Sequence, residues 1–173
     1  MAYCTVPDIW QKPNQCGAAS AYQAISGAGG AGNIAGSSVE AKVETLWKEV
    51  RDDGQNSSVV WKITRSLNSY VPGGNYTYKE GGVIGQSAFE LYTAQSLLAN
   101  HPVILHAITT NIDYYNKHYS RHYICVSGIN RNTGIVTVVD CNNNESYHGT
   151  HTMSVTEAYG SITEEAARYL IYG

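Results

Sequence analysis

The sequence predicts an α+β fold in which a helical N-terminal half packs on a C-terminal antiparallel β-sheet. Before Pro102, apolar residues recur at helical spacing and follow residues that favour helix starts. After Pro102, short β-branched or aromatic runs are separated by turn residues, which is typical of antiparallel strands. A group of helices followed by a group of strands indicates the α+β class, with helices and sheet meeting along one interface.

Four segments of the N-terminal half are predicted to be helical. They are 16–25, 38–51, 57–69 and 87–100. Two have capping-box pairs at their start, Ser37 with Glu40 and Ser87 with Glu90, and the third begins with serines that can cap. The glycine-rich segment 27–36 is predicted to be a loop because it has little apolar surface to bury.

Five segments are predicted to be strands. They are 75–79, 103–108, 122–129, 135–140 and 167–172. Between Ile129 and Ile135 the run NRNTG favours a hairpin turn, because Asn and Gly tolerate positive φ. The strand that starts at His122 therefore pairs with the strand that ends at Asp140, and these two residues come together at one edge of the sheet.

Length and composition limit the classes of function. A chain of 173 residues is expected to form one domain, 1–173. Eleven Lys and Arg against 14 Asp and Glu exclude a strongly basic surface, so no nucleic-acid partner is expected. No apolar run is long enough for a membrane span. The oligomeric state stays open.

The N-terminus has neither the basic region nor the apolar run of a signal peptide. Either the protein is cytoplasmic or a leader is absent from this chain. The abundance of Gly, Ser, Asn, Thr and Tyr with few lysines is similar to that of many secreted bacterial proteins. A secreted or cell-surface bacterial protein is therefore expected, with a cytoplasmic location left open.

The cysteines and histidines do not form a metal-binding motif. Cys4, Cys16, Cys125 and Cys141 lack the paired short spacing of zinc sites. If Cys16 is free for chemistry, at most one disulfide forms among the other three. Four histidines were compared with Cys141 as partners in a zinc site and fit no compact ligand spacing: His106, His118, His148 and His151. No metal and no cofactor is expected.

Cys16 is the candidate nucleophile because the predicted helix begins there. Unpaired backbone N–H groups and the helix dipole at a helix start favour a thiolate and lower the pKa of the thiol. The alternative is a small buried cysteine with a packing role. His122 as base and Asp140 as its orienting acid complete the arrangement that a cysteine nucleophile requires. Strand alternation directs Cys125 to the opposite face from His122, so Cys125 is interpreted as a packing residue.

Two features near these residues are left with alternatives. A thioester-forming enzyme needs donors for the oxyanion, and the Cys16 N–H plus a side-chain amide from Gln11, Asn14 or Gln15 would provide them. The residues alone do not distinguish among the three amides. The long segment 109–121 before His122 is either a lid whose tyrosines line a peptide groove or a solvated surface loop.

The blocks QKPNQCGAAS, HYICVSGIN and VVDC resemble the papain-fold cysteine peptidases of family thirty-nine. Members of that family process bacteriocins by cutting after a double glycine, and the chain looks closer to their stand-alone relatives. The resemblance covers Val6 to Ile25 and Pro102 to Cys141, with Ala18 where many relatives have proline. It implies a papain-like fold, with Gln11 in the oxyanion hole, Cys16 as nucleophile, His122 as base and Asp140 as orienting acid.

The sequence therefore predicts a cysteine peptidase that hydrolyses peptide or amide bonds of a peptide or protein substrate through a thioester. Two alternatives stay open. The same thioester can transfer the acyl group to an amine, as in a transferase or crosslinking enzyme. The fold can also serve as a peptide-binding module without catalysis.

Overall fold

Helices and strands follow the predicted order in a computed structural model that describes residues 1–173. The helices are α1 (Cys16–Gly27), α2 (Val39–Val50), α3 (Val60–Tyr70), α4 (Gln86–Leu98) and α5 (Val155–Ser161). The strands are β1 (Ala2–Tyr3), β2 (Thr77–Glu80), β3 (Val103–Ile108), β4 (Arg121–Asn130), β5 (Ile135–Asp140), β6 (Gly149–Ser154) and β7 (Tyr169–Tyr172). The predicted α+β class is confirmed.

All seven strands form one antiparallel sheet. Its order is β2-β7-β3-β4-β5-β6, and the short β1 pairs with the end of β4. The β4–β5 hairpin is confirmed, with Val126 opposite Val138 and a register shift between Val126 and Gly128. This pairing places the start of β4 next to the end of β5, where His122 and Asp140 lie.

Helices cover both faces of the sheet rather than one. The predicted alternation in β4 is confirmed: Ile124 packs in the cluster that contains α4 and α5, and Tyr123 packs in the cluster that contains α1, α2 and α3. In β3, Leu105 and Ile104 divide between the same two clusters and both are fully buried. A sheet that is apolar on both faces needs a cover on each. The expected single interface between helices and sheet is therefore wrong.

The helix starts differ from the predicted caps. Ser38, not Ser37, caps α2, and its hydroxyl accepts a backbone N–H at 3.1 Å. Helix α4 starts one residue before Ser87, with Gly85 at the cap position and no side-chain cap. The cap residue of α3 is Val59, because the preceding serines belong to a turn that bridges back to the end of α2.

Three elements were not predicted. They are β1, β6 and α5. The segment after Asp140, interpreted as turn-rich throughout, contains β6, which pairs along the whole of β5. Helix α5 then starts with a capping box of Ser154 and Glu157, a signal that is visible in the sequence. None of the helices has the length and apolar character needed to cross a membrane.

Candidate active site

Helix α1 begins at Cys16 and is held firmly against the sheet. Its residues from Gly17 to Ile25 are all buried. The Ser20 hydroxyl donates to the Tyr123 carbonyl on β4 at 2.9 Å. The backbone of Asn14 is left-handed, with φ of 65°, and turns the chain into the helix. The start of α1 is thereby fixed beside the start of β4.

The side chains of His122 and Asp140 form a buried pair at the sheet edge. His122 Nε2 and Asp140 Oδ1 lie 2.7 Å apart, with exposures of 3% and 0%. The carboxylate favours the protonated ring and fixes its orientation. Because Nε2 is engaged by Asp140, Nδ1 is the nitrogen left for other contacts.

The environment of Cys16 favours the thiolate. Burial would raise the pKa of Cys16, but a hydrogen bond to His122, the positive charge of that ring and backbone contacts at Tyr123 and Gly17 together lower it. In turn, burial would lower the pKa of His122, but the charge and hydrogen bond of Asp140, with a contribution from Cys16, raise it. Opposite shifts of two contacting groups stabilise an ion pair of thiolate and imidazolium at neutral pH.

Asp140 is kept ionised by further donors. Its Oδ2 accepts the hydroxyls of Tyr114 at 2.9 Å and Tyr115 at 2.7 Å, and its Oδ1 accepts the Asn142 backbone N–H at 2.9 Å. Burial would raise the pKa of Asp140, but the charge and hydrogen bond of His122, together with the hydrogen bonds from Tyr115 and the Asn142 backbone, lower it. The carboxylate is thus ready to orient His122 without taking up its proton.

Gln11 is fixed next to Cys16 by Cys141. The Gln11 backbone N–H donates to the Cys141 carbonyl at 2.8 Å, and the Cys141 thiol donates to Gln11 Oε1 at 3.4 Å. With Oε1 engaged, the Nε2 donors of Gln11 are left for a ligand. Of the other two amides considered, Gln15 donates to Glu44 at 3.1 Å, and Asn14 lies exposed at the cavity rim.

The candidate site opens into a cavity of about 360 Å³. Gln11, Cys16 and His122 all contribute to its wall, as do Tyr115 and Tyr147. The structure therefore brings together three of the four predicted site residues at one cavity, and Asp140 lies directly behind His122.

The comparison with known families agrees with this geometry. Residues 3–171 match the Peptidase_C39 like family. The chain belongs to this family. Membership covers nearly the entire chain and confirms the resemblance inferred from the Cys16 and His122 blocks. The α+β architecture is the papain-like fold expected for a C39-like peptidase, and the family supports assignment to the cysteine peptidases. No curated protein significantly matches this member of the family.

Several residues around the site of this C39-like chain were not identified from the sequence. Neither interpretation of segment 109–121 included the bonds that the hydroxyls of Tyr114 and Tyr115 donate to Asp140. Tyr115 also lines the cavity, in agreement with the interpretation that tyrosines of this segment line a groove. Cys141 was considered for a disulfide and for a zinc site but not for a contact with Gln11, and all four cysteines are free. His122, Asp140 and Cys141 each place one ligand-type atom within 4.8 Å of the others, so a second thiol lies beside the pair. In the sequence, the only signal for this second thiol was that Cys141 directly follows Asp140.

The other histidines of the C39-like chain have separate surroundings. His148 stacks on Trp10 at 3.5 Å, with Nε2 3.0 Å from Asp8 Oδ1. His151 contacts the Tyr147 carbonyl at 2.9 Å, and His106 contacts Arg168 at 2.7 Å. His118 lines the cavity with Cys16.

Proposed function

We propose that this protein is an active cysteine peptidase in which Cys16 is the nucleophile, His122 the general acid and base, and Asp140 the group that orients His122. The observation that supports this most strongly is that Cys16 and His122 line the same cavity while His122 Nε2 lies 2.7 Å from Asp140 Oδ1. The directions in which the pKa values of Cys16 and His122 are shifted, lowered and raised respectively, agree with these roles. The proposed substrate is a peptide or protein that reaches Cys16 through the 360 Å³ cavity.

The first half of the proposed reaction forms a thioester. The Cys16 thiolate attacks the carbonyl carbon, and the new oxyanion accepts hydrogen bonds from Gln11 Nε2 and the Cys16 N–H. That N–H is at the first position of α1 and has no intrahelical acceptor. The C–N bond then breaks as the His122 imidazolium gives its proton to the leaving amine.

The second half releases the acyl group. Neutral His122 takes a proton from water, and the resulting hydroxide attacks the thioester carbonyl. Collapse of this intermediate breaks the C–S bond, which releases the carboxylic acid and restores the Cys16 thiolate beside protonated His122. Hydrolysis is proposed in preference to acyl transfer because polar residues line most of the cavity around Cys16.

Alkylation and digestion together test this function. At pH 6, iodoacetamide is expected to modify Cys16 faster than it modifies a free model thiol, and His122→Ala is expected to abolish the difference. Digestion of a cell-derived peptide library is expected to produce new N-termini with the native protein and none with Cys16→Ala. Each product is identified by mass spectrometry.

Three outcomes of these experiments would contradict the proposal. Slow alkylation that His122→Ala leaves unchanged would indicate a binding module without catalysis. Rapid alkylation without new N-termini would contradict peptidase activity. Amine adducts formed in preference to free acids, with glycinamide as the acceptor, would indicate an acyltransferase.

A further inference from the structure

A second cavity, of about 290 Å³, opens on another side of Cys16. Cys16 and Arg121 line both cavities, but His122 and Gln11 line only the first. In the proposed reaction His122 protonates the leaving amine, so the leaving group lies in the first cavity. The second cavity is then the place for the acyl part of the substrate, N-terminal to the bond that is cut.

Two guanidinium groups lie in the wall of this second cavity. Arg168 is 7% exposed, and Arg121 lies at the more open end. Both reach the same carboxylate, with Glu165 Oε2 at 3.2 Å from Arg121 Nη2 and 3.6 Å from Arg168 Nη2. Two cations share one anion, so one positive charge is left without a paired carboxylate.

His106 holds Arg168 without adding charge. Arg168 Nη1 donates to His106 Nε2 at 2.7 Å, which requires that nitrogen to be unprotonated. Burial and the charge of Arg168 lower the pKa of His106 to about 3, so the ring is neutral at physiological pH. The ring also stacks on Tyr123 at 4.2 Å, which fixes its position.

Buried polar atoms in the same wall lack partners. Arg168 Nε and Ser58 Oγ are both buried without any hydrogen bond, and both residues line the cavity. Burial of a charged group without full compensation is costly, so the Arg168 guanidinium, whose Nε–H has no acceptor although Nη1 contacts His106 and Nη2 contacts Glu165, indicates a missing acceptor. The planar guanidinium matches a carboxylate, which it binds through two parallel hydrogen bonds.

We propose that this second cavity is an anion subsite that selects peptide substrates with a carboxylate on the acyl side of the scissile bond. Arg168 and Arg121 bind the carboxylate, His106 positions Arg168, and Ser58 offers a hydroxyl donor. This inference rests on the proposed function, because it assigns the acyl side of a reaction at Cys16. The carboxylate has one of two sources. It is the side chain of an acidic residue, or it is the free α-carboxylate of a residue whose side-chain carbonyl forms the scissile isopeptide bond.

A charged and a neutral thiol reagent of similar size test the subsite. The ratio of alkylation rates of Cys16 by 3-maleimidopropionate and N-ethylmaleimide is measured at pH 6. The other three cysteines are at most 2% exposed, so Cys16 dominates the reaction. We expect Arg121→Gln and Arg168→Met each to lower this ratio by about fivefold, as for loss of one charge contact. The matched control Arg131→Gln, on an arginine outside both cavities, is expected to leave the ratio unchanged.

The two proposals fail in different ways in this experiment. Rapid alkylation by N-ethylmaleimide with a ratio that neither Arg121→Gln nor Arg168→Met changes would overturn the subsite and leave the peptidase proposal intact. If N-ethylmaleimide alkylates Cys16 of the native protein no faster than it alkylates a free model thiol, the peptidase proposal is overturned. Arg121 is largely exposed, so Arg121→Gln gives an answer even if the buried Arg168→Met does not fold.

Peptide digestion distinguishes the two sources of carboxylate. Peptides with Glu on the acyl side are expected to be cut faster than the matched Gln peptides, and Arg121→Gln is expected to remove the preference. If the α-carboxylate is the ligand, only isopeptide substrates with that group free show the preference. Equal cleavage of acidic and neutral substrates of both kinds would overturn the subsite.

Discussion

His122 controls the charge of Cys16, and Asp140 controls the charge of His122. Burial alone would make both the thiolate and the imidazolium unfavourable. The short contact of His122 with Asp140 reverses this, because the carboxylate supplies a negative charge and a hydrogen bond acceptor at 2.7 Å. The ion pair of thiolate and imidazolium is therefore populated only at pH values between the lowered pKa of Cys16 and the raised pKa of His122.

This ion pair predicts a bell-shaped pH profile for peptide cleavage. Alkylation needs only the thiolate, so its rate is expected to rise to a plateau as Cys16 ionises. The acidic limb follows Cys16 and lies below the ordinary cysteine pKa of about 8.5, and the alkaline limb follows His122 and lies above the ordinary histidine pKa of about 6.5. Asp140→Asn lowers the pKa of His122 and raises that of Cys16, so both limbs move inward. We expect cleavage to fall by about 100-fold or more. A profile from pH 4 to 10 that Asp140→Asn leaves unchanged would contradict this assignment.

Cys141 is expected to position the amide of Gln11. Cys141→Ala removes the donor to Gln11 Oε1, and loss of one neutral hydrogen bond corresponds to about a fivefold fall in kcat for peptide cleavage. Iodoacetamide alkylation of Cys16 does not use the oxyanion hole and is expected to keep its rate. Cys141→Ser, which retains a donor, is expected to recover most of the kcat.

Cys125→Ala is the matched control for Cys141→Ala. Cys125 is also fully buried in the cluster that contains α1, but it makes no contact with Gln11. If both alanine variants lower kcat equally, Cys141 acts only through packing.

The connection between β3 and β4 supports the site from behind. It contains two 3-10 turns, Thr109–Asn111 and Asp113–Tyr115, followed by left-handed residues at Asn116 and Lys117. This path turns the two adjacent tyrosines inward. The Tyr115 side chain is fully buried, and its hydroxyl also accepts the Asn142 side-chain amide at 3.0 Å.

Tyr115→Phe is expected to destabilise the fold and to weaken the site. Loss of a hydrogen bond to a buried carboxylate costs about 1.5–3 kcal/mol of unfolding free energy, measured by urea denaturation. It also raises the pKa of Asp140, which makes His122 a weaker partner for Cys16. The control Tyr119→Phe loses a bond to Glu165 at the exposed surface, and it is expected to cost less than about 1 kcal/mol. Equal losses in the two variants would contradict a special role of Tyr115.

The helix boundaries illustrate a limit of local sequence signals. Ser37 and Ser38 are both good caps, and the capping-box spacing from Glu40 favours Ser37. The observed cap is Ser38, whose backbone is extended and whose hydroxyl accepts the Ala41 N–H at 3.1 Å. The third helical residue is then Ala41 rather than Glu40, so the predicted capping box does not form.

The sheet connects the two hydrophobic clusters. Strands β3, β4 and β7 contribute residues to both clusters, so neither set of helices can separate without exposing the sheet. We propose that residues 1–173 form one domain that unfolds as a unit.

A single cooperative transition is expected for thermal unfolding. Far-ultraviolet and near-ultraviolet circular dichroism are expected to give the same midpoint, with calorimetric and van't Hoff enthalpies equal. Cys16→Ala serves as the control for any effect of thiol oxidation. Two separate midpoints, one for each cluster, would contradict the single-domain proposal.

Local signals in the sequence were sufficient to predict where Cys16, His122 and Asp140 lie in the fold. The helix start depends on residues within one turn, and the hairpin register depends on the short connection at Asn132, so neighbouring residues specify both. Gln11 could be chosen among three amides only through the family resemblance. Its contact with Cys141 joins residues 130 positions apart, and no local pattern encodes such a contact.

Long-range contacts also explain why the remaining residues of the site could not be identified from the sequence. Tyr115 meets Asp140, and Arg168 meets His106, across different strands and loops. These contacts exist because the helices on both faces of the sheet bring distant segments to one edge. The sequence thus specified the positions of the proposed nucleophile and its proposed base, whereas long-range packing created the surroundings that set their charge and the cavities beside them.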